Sequence, residues 1–184
     1  MSRLIMFNLV TLDGFFEGAK SWELDWHQII LDKEFERFAI EQLLAADRLL
    51  FGRITYEGMA AYWSSAQGEI ADLMNSLPKV VFSRTLKQPA WSGTSLAGGD
   101  TVAEVRKFKQ GGARSSLVIG SGKLSQALTA DDLFDEYRLL MVPIILGSGR
   151  LLFEHGLPRR KMKLLEARQL SSGGVILRYE PIRG

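Results

Sequence analysis

Short apolar, β-branched runs alternate along this chain with longer stretches in which apolar residues return every three to four positions. Leu4–Val10 predicts a first strand. Lys33–Ala46 predicts an amphipathic helix, because Phe35, Phe38, Ala39, Gln42, Leu43 and Ala46 share one face at helical spacing. Arg48–Phe51 predicts a second strand that stops at Gly52. Thr55–Tyr62 and Glu69–Ser76 predict helices, and Lys79–Phe82 a third strand. Thr101–Gln110 predicts a helix stopped by Gly111-Gly112, as glycine just past the last periodic residue implies. Ser115–Ile119 predicts a fourth strand, followed by Gly120-Ser121-Gly122 and a helix over Leu124–Ala130. Asp135–Val142 alternates weakly up to Pro143. The tail predicts a hairpin, Lys161–Leu170 and Val175–Pro181, joined by Ser171-Ser172-Gly173-Gly174.

Strand–helix repeats with an antiparallel ending imply an α/β fold whose sheet is mostly parallel and covered on both faces. No repeat or linker interrupts the 184 residues, so one domain spanning residues 1–184 is expected. In such sheets ligands bind beyond the carboxyl ends of the strands. Three of those ends carry small or basic residues: Gly52-Arg53-Ile54-Thr55, Ser83-Arg84-Thr85 and Gly120-Ser121-Gly122-Lys123. Glycines between strand and helix let backbone approach a phosphate, and the helix N terminus adds free N–H groups and partial positive charge. A guanidinium between two hydroxyls, as at Arg84, suits a phosphate dianion. Each turn also reads as a plain tight turn or solvated strand end. Their placement along one sheet edge makes them one candidate site for an extended dinucleotide.

The first strand end differs. Asp13 and Phe16 stand in a glycine-containing turn, and Trp22-Glu23-Leu24-Asp25-Trp26-His27 follows. Trp22 and Trp26 could stack on a flat heterocycle, and Asp25 or His27 could bind it or donate a proton. The alternative is a surface loop whose tryptophans pack on the core.

Charge and composition narrow the function classes. A net charge of +2 gives no electrostatic footprint for nucleic acid. No run approaches the ~20 apolar residues of a membrane helix. The absence of cysteine removes thiolate metal sites and thiol catalysis, and with His27 and His155 the only histidines no metal site is expected. The chain reads as soluble and cytoplasmic.

Several pieces occur in an order that resembles the dihydrofolate reductase superfamily, and within it the branch of the reductase domain of the riboflavin-biosynthesis deaminase/reductase. They are Thr11-Leu12-Asp13-Gly14, Leu49–Glu57, Lys79–Leu86, Val118–Leu124, Leu133–Tyr137 and Val142–Gly149. The resemblance implies a three-layer fold with about eight strands and a C-terminal antiparallel hairpin. It implies NADPH, with the pyrophosphate at Gly52, Arg53, Thr55, Gly120, Ser121 and Gly122 beside Lys123 and Leu124. It places the adenosine 2′-phosphate at Ser83, Arg84 and Thr85, and the nicotinamide near the loop from Asp13 to Glu17. It further implies a homodimer and a small heterocyclic substrate, either a riboflavin-pathway pyrimidine or a pterin. The chain lacks the Pro-Trp of dihydrofolate reductases proper, and Asp25 is the candidate for their pterin-binding acid. The alternative function is a non-catalytic NADP- or small-molecule-binding domain that keeps the fold.

Overall fold

A computed structural model describes residues 2–112 and 114–183. In chain order the elements are β1 (Arg3–Thr11), β2 (Phe15–Glu17), a 3-10 helix (Asp25–Ile30), α1 (Lys33–Leu44), β3 (Ala46–Gly52), α2 (Arg53–Trp63), α3 (Glu69–Ser76), β4 (Lys79–Phe82), β5 (Thr94–Ala97), α4 (Thr101–Gly111), β6 (Ser115–Ile119), α5 (Gly122–Ala130), β7 (Glu136–Val142), β8 (Arg150–Leu151), β9 (Met162–Gln169) and β10 (Val175–Pro181). An eight-stranded sheet runs β5-β4-β3-β6-β1-β7-β10-β9. It is parallel from β5 to β7, and β10 pairs antiparallel with both its neighbours. The α/β reading with a terminal hairpin therefore holds.

Strand alternation divides the core. Leu4, Met6 and Val10 of β1 join Leu50, Val80 and Val118 under α4 and α5, through Val105, Leu124 and Leu128. Ile5 and Phe7 face the other way. There Ile5 meets Leu43, Tyr56 and Met74 of α1, α2 and α3, while Phe7 meets Phe38, Trp26, Ile30 and the hairpin residues Leu170 and Ile176. Burial on both faces explains why the parallel strands read as nearly unbroken apolar runs.

One expected boundary shifts, and two further elements had no sequence expectation. Ala46 opens β3 instead of ending α1, because Ala45 closes the helix with its N–H bonded to Glu41 O and Leu43 O. The edge strand β5, Thr-Ser-Leu-Ala, carries no apolar alternation that could reveal it. A second, two-stranded sheet joins β2 to β8. Its strands are too short to carry a period, yet they fix the loops over the site.

Polar groups anchor the scaffold below the site. Lys79 is 1% exposed and donates to the carbonyls of Met74, Asn75 and Leu77, over the ring of Trp91. It satisfies the carboxyl end of α3 from the strand that leads to Ser83. Burial pushes its ammonium down to about 8. Among the described residues no helix is long and apolar enough to cross a membrane, and no group of three or more acids and histidines could hold a metal ion.

Candidate cofactor and substrate cleft

One cleft of ≈ 1510 Å³ opens where β1, β3, β4 and β6 end. All eleven residues expected to hold the cofactor line it: Gly52, Arg53, Thr55, Ser83, Arg84, Thr85, Gly120, Ser121, Gly122, Lys123 and Leu124. The sheet order explains the convergence. β6 lies between β3 and β1, so the turn after β6 faces the turn after β3 directly.

Those two turns are locked together. Ser121 N donates to Thr55 Oγ1 at 3.0 Å, and Gly52 N donates to Ser121 Oγ at 3.1 Å. Gly120 and Ser121 are both left-handed, with φ of 61° and 58°. At Gly120 a Cβ would also crowd the Thr55 methyl at 3.2 Å, so glycine answers both the backbone and the packing. Thr55→Val keeps the shape and removes the acceptor of the Ser121 N–H. It is expected to cost about 1–2 kcal/mol of stability in denaturant unfolding.

The helix N termini are not alike. Asp32 caps α1 by accepting from Phe35 N, and Asp100 caps α4 by accepting from Ala103 N. Both helices, and α3, carry acidic residues in the first turn. α2 and α5 have neither a side-chain cap nor an acid there. Their positive ends therefore meet the cleft unneutralised, beside the Gly52 and Gly120 turns. Such an end favours an anion such as phosphate.

At the outer end, Ser83 Oγ accepts from Thr85 N and Leu86 N, which fixes the turn that presents Arg84. Arg84 is exposed and has no partner among the described residues. Arg53, by contrast, is held by Glu57 at 2.8 Å.

The first strand end sorts differently from expectation. Phe16, Trp22 and His27 line the cleft; Asp13, Asp25 and Trp26 do not. Asp13 accepts from Thr11 Oγ1 and from Leu146 N and Gly147 N. The Thr11 bond, with those amides, outweighs burial and holds its carboxyl at about 2, so Asp13 ties the turn after β1 to the loop at Leu146 and Gly147. The 3-10 helix turns Trp26 (3% exposed) and Ile30 into the core, which sends Asp25 to solvent. Asp25, expected as a catalytic or pterin-binding candidate, is exposed and stands outside the cleft lining. His27 packs edge-on against Trp26 at 4.3 Å, and its Nε2 is buried without a partner. Burial, opposed by Asp25, pulls its imidazole down to about 4. His27 is thus neutral at pH 7, a hydrogen-bonding group rather than a proton store.

Asn8 and Glu17, not singled out as site residues from sequence, line the cleft beside Trp22. Asn8, 4% exposed within β1, has a buried Nδ2 with no partner. Glu17 accepts from Trp22 N at 2.6 Å and lies 3.4 Å from Arg150. Trp22 takes a left-handed φ of 66° and lays its indole against Gly58 of α2, where any side chain would collide with it. The loop after β2 therefore crosses the cleft mouth. A polar residue inside the apolar run Leu4–Val10 was the one signal that could have found Asn8.

The family model of the RibD C-terminal domain matches residues 2–176. The chain belongs to the RibD C-terminal domain family. It is 32% identical over 183 residues to the uncharacterized protein YyaP of Bacillus subtilis (strain 168), covering 96% of this chain and 94% of that one. Among solved structures it resembles a putative riboflavin biosynthesis protein from Shewanella sp. PV-4, with a TM-score of 0.75, 22% identity and coverage of 98% and 99%. It also resembles a dihydrofolate reductase from Enterococcus faecalis complexed with NADP(H), with a TM-score of 0.67, 13% identity and coverage of 98% and 97%. These likenesses establish a dihydrofolate-reductase-like fold. In this RibD C-terminal domain the strand order puts the three turns side by side, and the loops of β2 and β8 build the opposite wall.

Proposed function

We propose that the chain is an NADPH-dependent reductase of a small planar heterocycle, either a riboflavin-pathway pyrimidine or a pterin. The observation that carries this reading is the pair of uncapped, acid-free helix N termini of α2 and α5 at one cleft. The N–H groups of Gly122, Lys123 and Leu124 and of the first turn of α2 would hold the pyrophosphate. Arg84, with the Ser83 and Thr85 hydroxyls, would hold the 2′-phosphate. The unmet Nδ2 of Asn8 fits a carbonyl or carboxamide oxygen. Bound NADPH would supply the hydride.

The protein groups then orient and shield. Phe16 packs against Gly122, and the Trp22 loop covers the mouth. Glu17 is engaged by Trp22 N and Arg150 and His27 is neutral, so proton delivery falls to solvent. The lack of a free buried acid in the cleft, among the described residues, also favours the second reading, a binding domain without turnover. Oxidation of NADPH in the presence of pterin or pyrimidine substrates separates the two.

Calorimetry tests the cofactor directly: NADPH should bind saturably and NADH more weakly. Arg84→Ala should weaken NADPH by ~1.5–3 kcal/mol and leave NADH little changed. An equal loss for both cofactors would show that Arg84 does not read the 2′-phosphate.

A further inference from the structure

The cleft has two ends of opposite electrostatic character. The end described above collects Arg53, Arg84 and Lys123 and the two uncapped helices. The other lies on the α1, α2 and α3 side of the sheet. Its floor is apolar, with Phe7, Leu9 and Phe35 below and Trp22, Tyr62 and Trp63 around it. Flat walls of this kind suit a ring.

Its charges are mostly acidic. Asp32 and Glu36 reach it from α1 and Glu69 from α3. Among the described residues the cations that reach it are Lys33 and Arg150, and Arg150 is already beside Glu17 at 3.4 Å. The N terminus of α1, the natural place for an anion, is filled by the side chain of Asp32, and Glu34 in its first turn is tied to the hairpin turn. Asp32 Oδ1 accepts from Phe35 N at 2.8 Å, and Glu34 Oε2 accepts from Ser171 N at 2.6 Å. These bonds outweigh burial and keep both carboxyls below their ordinary range, so both carry charge at neutral pH. A phosphate brought here would meet like charge at both nearby helix ends, Asp32 at the N terminus of α1 and Glu69 at that of α3. The polar contact left open within the apolar part is the buried Nε2 of neutral His27.

From this juxtaposition we infer that the substrate is an uncharged planar ring compound without a phosphate group, contacted by His27 and screened from anionic analogues by Asp32, Glu36 and Glu69. The inference rests on the reductase reading of the cleft and narrows it. A phosphorylated pyrimidine becomes the disfavoured member of the two substrate types.

The test is a calorimetric titration of the NADP⁺-saturated protein with a matched pair, riboflavin and its 5′-phosphate FMN. Riboflavin should bind at least about tenfold more tightly in low salt, with the gap shrinking as salt screens the acids. Asp32→Asn combined with Glu36→Gln should narrow the gap to about threefold or less, since asparagine still caps α1. His27→Phe should weaken riboflavin about tenfold while the NADP⁺ affinity stays unchanged. Equal or tighter binding of FMN would overturn the inference, as would a protein that takes NADP⁺ but neither flavin. The same pair titrated without NADP⁺ reads the ring end alone. Loss of NADP⁺ binding would thus strike the cofactor assignment, while the comparison of the two flavins would still decide the charge filter.

Discussion

Replacing Glu136 by alanine is expected to destabilise the fold by about 3–5 kcal/mol and to leave the NADPH affinity of the folded protein unchanged. Glu136 opens β7 and is 0% exposed. Its Oε1 receives Arg138 Nε at 2.6 Å and Arg178 Nε at 2.7 Å, and its Oε2 lies 3.2 Å from Arg3. Burial pushes this carboxyl up, but the hydrogen bonds and charges of Arg138 and Arg178 prevail and hold it below its ordinary value. Arg138 also donates to Gln42, which ties β7 to α1, and Arg178 reaches Glu166 of β9 at 3.1 Å. Alanine would strand Arg138, whose side chain is only 10% exposed, as an unpaired buried cation. Arg178 and Arg3 are more exposed and can turn to water.

The loss should appear as a fall in melting temperature of roughly 10 °C for a chain of this length. A paired replacement, Glu136→Leu with Arg138→Leu, should recover most of it, because two charges are then spared desolvation together. Recovery by the pair, set against the single variants in a double-mutant cycle, separates charge stranding from simple loss of packing. Neither residue lines the cleft, so an NADPH affinity that fell with stability would mean that the network shapes the site.

The sequence made the cofactor end of the cleft readable and the rest much less so. Gly52, Ser83 and Gly120 each follow an apolar run, and a small residue there marks the strand end whatever the tertiary packing. Strand order then did what composition could not, by bringing the Gly52 and Gly120 turns into hydrogen-bond contact. The opposite wall depends on partners far away in the chain. β2 and β8 pair across more than a hundred residues with two or three residues each, too few to show a period. Asp25 looked chemically apt beside His27, but the spacing of Trp26 and Ile30 on one side of a helical turn sends it outward. That spacing was present in the sequence and was outweighed by the chemistry of the neighbouring side chains. Gln42 reads as part of the apolar face of α1, and it is buried there because Arg138 on a distant strand donates to it. Such a contact leaves no local trace.

Acid is expected to weaken the fold through His27 before any carboxylate is protonated. The ordinary value of the imidazole is 6.5, and burial against the weaker opposing pull of Asp25 lowers it to about 4 in the folded chain. Between those values the unfolded chain binds a proton at His27 that the folded chain does not. Unfolding therefore takes up a proton, and stability falls as pH falls. The stabilisation is whole above pH 6.5; about 2 kcal/mol is lost by pH 5 and about 3 kcal/mol by pH 4. The lowered carboxylates, Asp13, Asp32, Glu34, Asp135 and Glu136, lose stability in the same direction but mainly below their ordinary values of 3.8 to 4.5. The window from pH 6.5 to 5 thus belongs chiefly to His27. Denaturant midpoints measured across it should slope in the parent protein and lie nearly flat in His27→Gln. A slope that survives the substitution would assign the effect to another group and remove the case for a buried, neutral imidazole. The same neutrality has a functional side. A ring held by Nε2 meets an uncharged partner from pH 8 down to pH 5, so its affinity should stay level over a range in which an exposed histidine would have gained its charge.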